Sequence, residues 1–397
     1  MKILKRLALS LLSFLLFLSL AIFGLTFMVN RTALNPNFVT AELNRLDITS
    51  LVNESITSEH TSSDDLTTKL VSITPEIEPL VKEEAGVVIN SVYDYLLGKS
   101  QDIDLALTLR NSVLSKDFVL SVLDNVDISV LTRDFLNKQF IEEMPAEVQP
   151  YITEEFLDKA VIELEPWMKE QINIVADPVL DYLVGKRQSL NVVISLESVK
   201  ASLRDAMKEE FLNSPPPELA GKSQAELEQY FDQFYQETAA QMPSTLEIDQ
   251  SLLGIDMPVR IAEAFDLAEE AFALARQYIA YFQLGYKLLI AFMVLLVIAI
   301  ALIDREVRAT TRRLGIPLLI YGIIEYAGIL VGNYFIEKQV QISELPSLQA
   351  WLLQFIDNLM NPLEIFSLSL LICGAVLTIV SFVYRPSQSP AGSLTNQ

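Results

Sequence analysis

The sequence predicts a mainly α membrane protein: four transmembrane helices plus an α-rich (α+β) extracytoplasmic domain built from an internal duplication with a small β-sheet. Two observations predict this class. Apolar residues are concentrated in four blocks, one near the start of the 397-residue chain and three near its end. Between the first and second blocks lies a long acidic segment in which short sequence patterns recur at fixed spacings.

The first apolar block, 7–28, contains no charged residue and is long enough to cross a bilayer core of about 30 Å as a helix. It follows Lys2, Lys5 and Arg6, so a cleaved signal peptide is the alternative. The apolar part of a signal peptide is usually only about 7 to 15 residues long and ends in small residues. This block is longer and ends in Leu25-Thr-Phe-Met, which favours an uncleaved signal anchor.

Three further spans are predicted at 283–303, 316–336 and 365–384. Orientation follows from the basic residues, because Lys and Arg in short loops stay on the cytoplasmic side. The loop 304–315 carries four arginines: Arg305, Arg308, Arg312 and Arg313. Together with the basic N-terminus, 1–6, and Arg385 in the tail, 385–397, they place both termini and this loop in the cytoplasm. Segments 29–280 and 337–364 are then extracytoplasmic, and the protein is expected in the cell membrane.

Composition argues against several functional classes. The net charge is −22, and segment 29–280 holds 44 acidic against 19 basic residues, so we expect no nucleic acid partner. The single cysteine, Cys373, lies in the last apolar block, and the single histidine, His60, lies in a polar stretch. No motif for a nucleophile, a metal or a phosphate is present. We therefore expect no enzyme activity, no cofactor and no metal site.

Segment 29–280 contains a duplication. The motif Glu76-Ile-Glu-Pro-Leu-Val-Lys-Glu recurs as Glu163-Leu-Glu-Pro-Trp-Met-Lys-Glu, and Asp94-Tyr-Leu-Leu-Gly-Lys recurs as Asp181-Tyr-Leu-Val-Gly-Lys, both 87 residues later. Upstream, Asn37-Phe-Val matches Asp117-Phe-Val and Asp47-Ile matches Asp127-Ile, both 80 residues later. An insertion of seven residues in the second copy reconciles the two spacings. The copies are predicted at about 34–113 and 114–204.

Each copy is predicted to contain one long helix and one strand. In the first copy, apolar residues recur at helical spacing from a start at Thr74-Pro75 to a left-handed cap at Gly98. Alternation of period two then predicts a strand at Ile103, Leu105, Leu107 and Leu109, matched by Leu190, Val192, Ile194 and Leu196 in the second copy. The two equivalent strands are expected to pair.

A break and a stalk are predicted after the second copy. Pro215, Pro216 and Pro217 interrupt any helix. A polar helix is expected at about 224–240, and 244–249 is a candidate third strand. From about 259 the sequence is rich in Ala and Glu and has no Gly or Pro until Gly285, which predicts a stalk helix, about 259–287, continuous with the second span.

Glu325 is the strongest candidate for a functional residue, because burying a carboxylate near the middle of a span costs free energy. Gly322, Gly328 and Gly332 are spaced to share its helix face, where small residues permit close packing. One interpretation is a proton- or ion-linked group that faces the bundle. The other is a packing role, with Glu325 hydrogen-bonded to Thr378, a serine of the first span or the backbone.

Between the third and fourth spans, an amphipathic helix is predicted at 347–361. Its apolar face consists of Leu348, Trp351, Leu352, Phe355, Leu359 and Met360. Its polar face consists of Gln349, Gln354, Asp357 and Asn358. Trp351 and Phe355 are candidate interfacial residues. The helix either lies on the outer membrane surface or packs beneath the outer domain.

These patterns predict a non-enzymatic multi-pass protein of the lipid bilayer whose outer domain binds a protein partner or ligand and is coupled to the helix bundle. The order of one span, a large outer domain and three spans with both termini inside also resembles the topology of mechanotransmitting ABC permeases of the MacB and FtsX type. That resemblance, which is one of topology alone, implies a transport component that works with a separate cytoplasmic ATPase subunit docked on Arg305, Arg308, Arg312 and Arg313.

Overall fold

A computed structural model describes residues 2–58, 65–141, 152–219, 221–240, 242–253, 257–304, 306–339 and 345–383. The described residues are 84% helical and contain a small two-stranded sheet. Four of its helices are long and apolar enough to cross a membrane, at Ile3–Arg31, Val259–Asp304, Val307–Ile336 and Pro346–Val383. The mainly α class is thereby confirmed, together with four helices that are candidates to span a membrane. His60, Arg305 and the tail 385–397 lie outside the described residues.

The helices and strands follow one another in this order: α1 (Lys2–Arg31), α2 (Pro36–Arg45), α3 (Ile48–Ser58), α4 (Asp65–Leu96), α5 (Leu105–Arg110), α6 (Lys116–Asp124), α7 (Ile128–Leu136) with a π-helical turn (Asn137–Ile141), α8 (Glu154–Leu183), β1 (Asn191–Ser195), α9 (Glu197–Asn213), a 3₁₀ turn (Pro217–Leu219), α10 (Gln224–Ala239), β2 (Thr245–Asp249), α11 (Gln250–Leu253), α12 (Met257–Asp304), α13 (Val307–Gln339) and α14 (Pro346–Val383).

The chain forms two compact units. Unit 1 comprises Met1–Thr74, Ile89–Ile103 and Phe272–Gln397, and unit 2 comprises Pro75–Val88 and Asp104–Ala271. Unit 1 therefore contains α1, α2, α3, α13 and α14, whereas unit 2 contains α5 to α11. Helices α4 and α12 contribute residues to both units.

Unit 2 is stabilised by an apolar core to which α7, α8, α9, α10 and β1 contribute. Leu164, Leu203 and Phe231 are at most 1% exposed there. The Tyr235 hydroxyl, also in this core, donates a hydrogen bond to the backbone oxygen of Lys200 at 2.5 Å. Burial raises the pKa of Tyr235, so the hydroxyl stays protonated at neutral pH and keeps this donor role.

The sheet contains only one of the two strands predicted from the recurring sequence patterns. Strand β1 lies in the predicted second copy and pairs antiparallel with β2, with Val193 opposite Glu247. The strand predicted at 103–109 in the first copy is wrong, because residues Leu105–Arg110 form helix α5. The predicted pairing of the two equivalent strands is therefore also wrong. The partner of β1 comes from the segment 244–249 instead.

Local chemistry explains why one of the two predicted strands forms a helix instead. The Asp104 side chain caps α5 by accepting a hydrogen bond from the Leu107 amide at 2.7 Å. Leu and Ala, which dominate α5, are good helix formers, whereas β1 has the sequence Asn-Val-Val-Ile-Ser, with β-branched residues at its centre. Arg110 then joins α5 to α8 through Asp181 at 2.8 Å and Asp177 at 2.5 Å.

The long helices pass through prolines and end at equivalent glycine turns. Helix α4 starts at Asp65 rather than at Thr74-Pro75 as predicted, and it contains Pro75 and Pro79, while α8 contains Pro166 and Pro178. Both Gly98 and Gly185 have φ of 76°, a left-handed conformation that favours glycine. The predicted Gly98 cap is confirmed.

Helices α13 and α14 pack through a glycine seam, which we define as Gly315, Gly322 and Gly374. A Cβ added to Gly322 would lie 2.7 Å from the Leu371 amide nitrogen, and one added to Gly315 would lie 2.9 Å from the Thr378 hydroxyl oxygen. A Cβ on Gly374 would overlap the Leu319 backbone. Backbone approaches backbone here, which is how small residues pack spanning helices.

Replacing Gly374 with Ala is expected to destabilise the bundle by about 1–3 kcal/mol, because the new methyl group overlaps the Leu319 backbone. Gly328→Ala is the matched control, since its Cβ would have no atom within 4 Å. Thermal unfolding in detergent or nanodiscs measures both. Equal unfolding temperatures for the two variants would contradict close backbone packing at the glycine seam.

Candidate functional site

The first candidate site is the carboxylate of Glu325 beside the hydroxyl of Tyr321, one helical turn earlier on α13. Glu325 is half-buried, and Tyr321 is 2% exposed. The two side chains interact electrostatically, yet the Tyr321 hydroxyl makes no well-formed hydrogen bond within the described part of the chain. The site therefore holds a polar pair with unused hydrogen-bonding capacity.

Aromatic residues of α1 and α14 contact the tyrosine of this pair. The Tyr321 ring contacts Phe17 edge-to-face at 5.9 Å and Phe366 at 6.4 Å between ring centroids. Gly24 of α1 makes room for the hydroxyl, since a Cβ at that position would lie 2.5 Å from the Tyr321 oxygen. Tyr321, which lies on α13, is thus positioned by contacts with α1 and α14.

The structure places only one of the three predicted glycines in a packed interface. Gly322 lies in the glycine seam, whereas a Cβ on Gly328 or Gly332 would meet no atom within 4 Å in the described chain. Thr378 is not positioned to bind Glu325 either. Its hydroxyl donates to the Gly374 oxygen at 2.7 Å and lies against Gly315, ten residues before Glu325.

Three of the candidate docking arginines, Arg308, Arg312 and Arg313, lie at one end of unit 1, and two of these three are already engaged. Arg308 donates to the backbone oxygen of Ser381 at 3.0 Å, and Arg313 pairs with the buried Asp304 at 2.9 Å. Lys5, at the start of α1, lies 4.0 Å from the same carboxylate. Arg312 is exposed and makes no ion pair or hydrogen bond within the described ranges.

The amphipathic segment 347–361 and the fourth span form one helix, α14, which continues through Pro362. Its first turns pack against α2. The Trp351 indole donates to the backbone oxygen of Glu42 at 2.9 Å, and the Phe355 ring lies 6.1 Å from the ring of Phe38. Because the segment continues as a span and contacts α2, the packing interpretation is favoured over a separate helix on the membrane surface.

Sequence reasoning missed the residue at the centre of this contact. Glu42 is 2% exposed, and its carboxylate accepts hydrogen bonds from the Asn358 amide at 3.1 and 3.3 Å and pairs with Arg45. The sequence pattern assigns Asn358 to the polar face of the amphipathic helix. However, Trp351, Phe355 and Asn358 recur at i, i+4 and i+7, a spacing that puts all three on one helix face. That spacing was the available signal.

A second carboxylate holds the start of α14. Glu54 of α3 accepts hydrogen bonds from the Ser347 amide at 3.1 Å and from its hydroxyl at 2.5 Å. An acid at a helix N-terminus satisfies unpaired amides and complements the helix dipole. We call the contacts of Phe38, Glu42 and Glu54 with α14 the Glu42 anchor.

Replacing Glu325 with Gln is expected to leave folding and abundance unchanged, because Glu325 lies outside the glycine seam. Any proton-linked activity should be lost, since the amide cannot release a proton. Abundance in the membrane and proton flux in proteoliposomes measure the two effects, with Glu364→Gln on α14 as the control. A fall in abundance with unchanged flux per molecule would support the packing role instead.

Among the described residues, no group of three His, Cys, Asp or Glu side chains is arranged to hold a metal ion. Comparison with protein families, curated proteins and solved structures gives no match for this chain. Functional inference therefore rests on the contacts of Glu325, of the Glu42 anchor and of the basic end of the bundle.

Proposed function

We propose that this chain is a non-enzymatic multi-pass membrane protein whose segment 29–280 lies outside the cytoplasm, binds a protein partner or ligand, and is coupled to the helix bundle. The Glu42 anchor is the observation that carries this proposal. It joins helices α2 and α3, which belong to the segment between the first and second spans, to a helix that continues as the fourth span.

The proposed orientation is supported by where the basic residues meet. Contacts bring the start of α1, the end of α12, the start of α13 and the end of α14 to one end of unit 1, through Lys5, Asp304, Arg308, Arg313 and Ser381. An end rich in Lys and Arg favours the cytoplasmic side. The start of α14, where the Glu42 anchor lies, is then on the opposite side of the membrane.

Coupling is supported by the continuity of the helices that carry the contacts. Helix α14 runs for 38 residues from the Glu42 anchor to the basic end, and the glycine seam joins it to α13. Within unit 1, Arg276 of α12 donates to the Gln101 oxygen at 2.8 Å and lies 4.6 Å above the Tyr95 ring. Displacement of α2 or of the turn after α4 would therefore move helices that cross the membrane.

The proposed duplication explains why this coupling belongs to the first copy. Equivalent turns carry equivalent hydrogen bonds, from Ser100 to the Asp94 oxygen and from Arg187 to the Asp181 oxygen. In the second copy, α6 and α7 pack on the long helix α8, whereas the equivalent α3 packs on α14 in unit 1. We infer that the first copy has been adapted to hold a membrane helix.

Intact cells treated with a membrane-impermeant amine cross-linker test both the orientation and the binding role. Lys99, Lys138 and Lys169 have more than half of their side chains exposed and are expected to react and to carry cross-linked partner peptides. Lys5, with 47% of its side chain exposed, is the internal control and should react only after permeabilisation. Labelling of Lys5 alone in intact cells would contradict the orientation.

A cytoplasmic ATPase as the sole partner, captured only after permeabilisation, would favour the permease interpretation instead.

The anchor itself is tested by Glu42→Ala in a Cys373→Ser background with cysteines at positions 38 and 355. A short thiol cross-linker is expected to join the two cysteines in the parent and much less in the variant, because hydrogen bonds to a charged group contribute about 1.5–3 kcal/mol. Glu83→Ala removes an exposed acid of α4 and is the matched control. Unchanged cross-linking in Glu42→Ala would contradict the anchor.

A further inference from the structure

The basic end of the bundle contains a pocket of about 510 Å³ between α1 and α13. Its polar lining consists of Ser10 and Ser13 from α1, of Glu306 immediately before α13, and of Arg308, Arg312 and Arg313 from the first turns of α13. Ile316 and Pro317 form an apolar part of the wall. We call this the basic pocket. It was not apparent from the sequence, because the serines lie about 300 residues away from the arginines.

The two serines of the basic pocket are unusual among the hydroxyl residues of the spanning helices. Ser19, Thr26, Ser369 and Thr378 each donate to a backbone oxygen four residues earlier. Such back-bonding is the common way for a hydroxyl to be satisfied in an apolar helix. Ser10 and Ser13 make no hydrogen bond to the described residues, although their spacing of three puts them on one face of α1.

The charge of the basic pocket also exceeds what the protein itself neutralises. Arg313 is paired with Asp304, and Arg308 is bonded to a neutral backbone oxygen, while Arg312 has no partner within the described residues. Glu306 is the single acid in the lining. A guanidinium group matches the geometry of a phosphate, and two free hydroxyls add hydrogen-bonding groups on the opposite wall.

From this arrangement we infer that the basic pocket binds the phosphate group of an anionic glycerophospholipid. Phosphate oxygens contact Arg312, Arg308 and the hydroxyls of Ser10 and Ser13, and the start of the acyl chains lies along Ile316 and Pro317. Basic pockets between spanning helices at the membrane–water boundary suit such headgroups. The inference requires only that α1 and α13 cross the membrane, so it is independent of the partner that segment 29–280 binds.

Nanodiscs of phosphatidylcholine containing a minority of phosphatidylglycerol test the inference, with retained lipid counted by native mass spectrometry after extraction. Wild type is expected to retain phosphatidylglycerol selectively. Arg312→Gln should weaken retention about five-fold, the effect of one basic side chain on an anionic headgroup. Ser10→Ala combined with Ser13→Ala should also weaken it. Arg6→Gln removes a charge from the same end of α1 outside the lining, so it controls for general attraction to anionic lipid and should weaken retention less than Arg312→Gln.

Several results would overturn the inference. Equal retention by wild type and Arg312→Gln, or an equal loss in Arg6→Gln, would show that no specific headgroup site exists. Displacement of phosphatidylglycerol by equimolar inorganic phosphate would show that the pocket takes a free oxyanion rather than a lipid. Loss of a co-purifying ATPase subunit in Arg312→Gln, with lipid retention unchanged, would assign Arg312 to protein docking.

Discussion

A carboxylate that is almost completely removed from water must be surrounded by donors, because an unpaired buried charge is strongly destabilising. Glu42 meets this requirement only where α2 and α14 lie together. Arg45 supplies one donor from α2 itself, and Asn358 supplies the other from α14. Separating the helices would leave the carboxylate without its Asn358 partner. The position of α14 is therefore tied to that of α2 by electrostatics as well as by the contact of Phe38 with Phe355.

The rest of unit 1 depends on this position of α14. Once α14 is fixed, the glycine seam sets its distance from α13, since the backbones of the two helices are in contact at Gly322 and Gly374. The seam in turn places Tyr321 against Phe17 and Gly24 of α1 and places Arg308 at the Ser381 oxygen. A chain of rigid contacts thus leads from α2 through two spanning helices to the basic end. Close-packed helices transmit displacement rather than absorb it.

Sequence patterns identified the features that depend on local composition. Long apolar blocks specify spanning helices, and a glycine after a helical run specifies a left-handed cap, as at Gly98. The error at Leu105–Arg110 arose because six residues are too few to separate a period of two from a helical period. There the cap formed by Asp104 and the helix propensity of Leu and Ala decided the outcome. The prolines of α4 do not mark its start. A proline inside a helix removes one backbone hydrogen bond and crowds the preceding turn, yet α4 continues through Pro75 and Pro79.

Features that depend on tertiary contacts were missed or only half recognised. Gly322 was identified, but its packing partner Gly374 was not, because pairing between spans leaves no signal in the spacing within one span. In the sequence, Glu42 cannot be distinguished from an exposed acid of a short polar helix, because its burial depends on contact with α14. The contact between Glu42 and α14 can be measured by amide hydrogen exchange of residues 346–362 in nanodiscs. Glu42→Ala should accelerate exchange in these first turns of α14 as well as in α2. Exchange that changes in α2 alone would contradict the coupling.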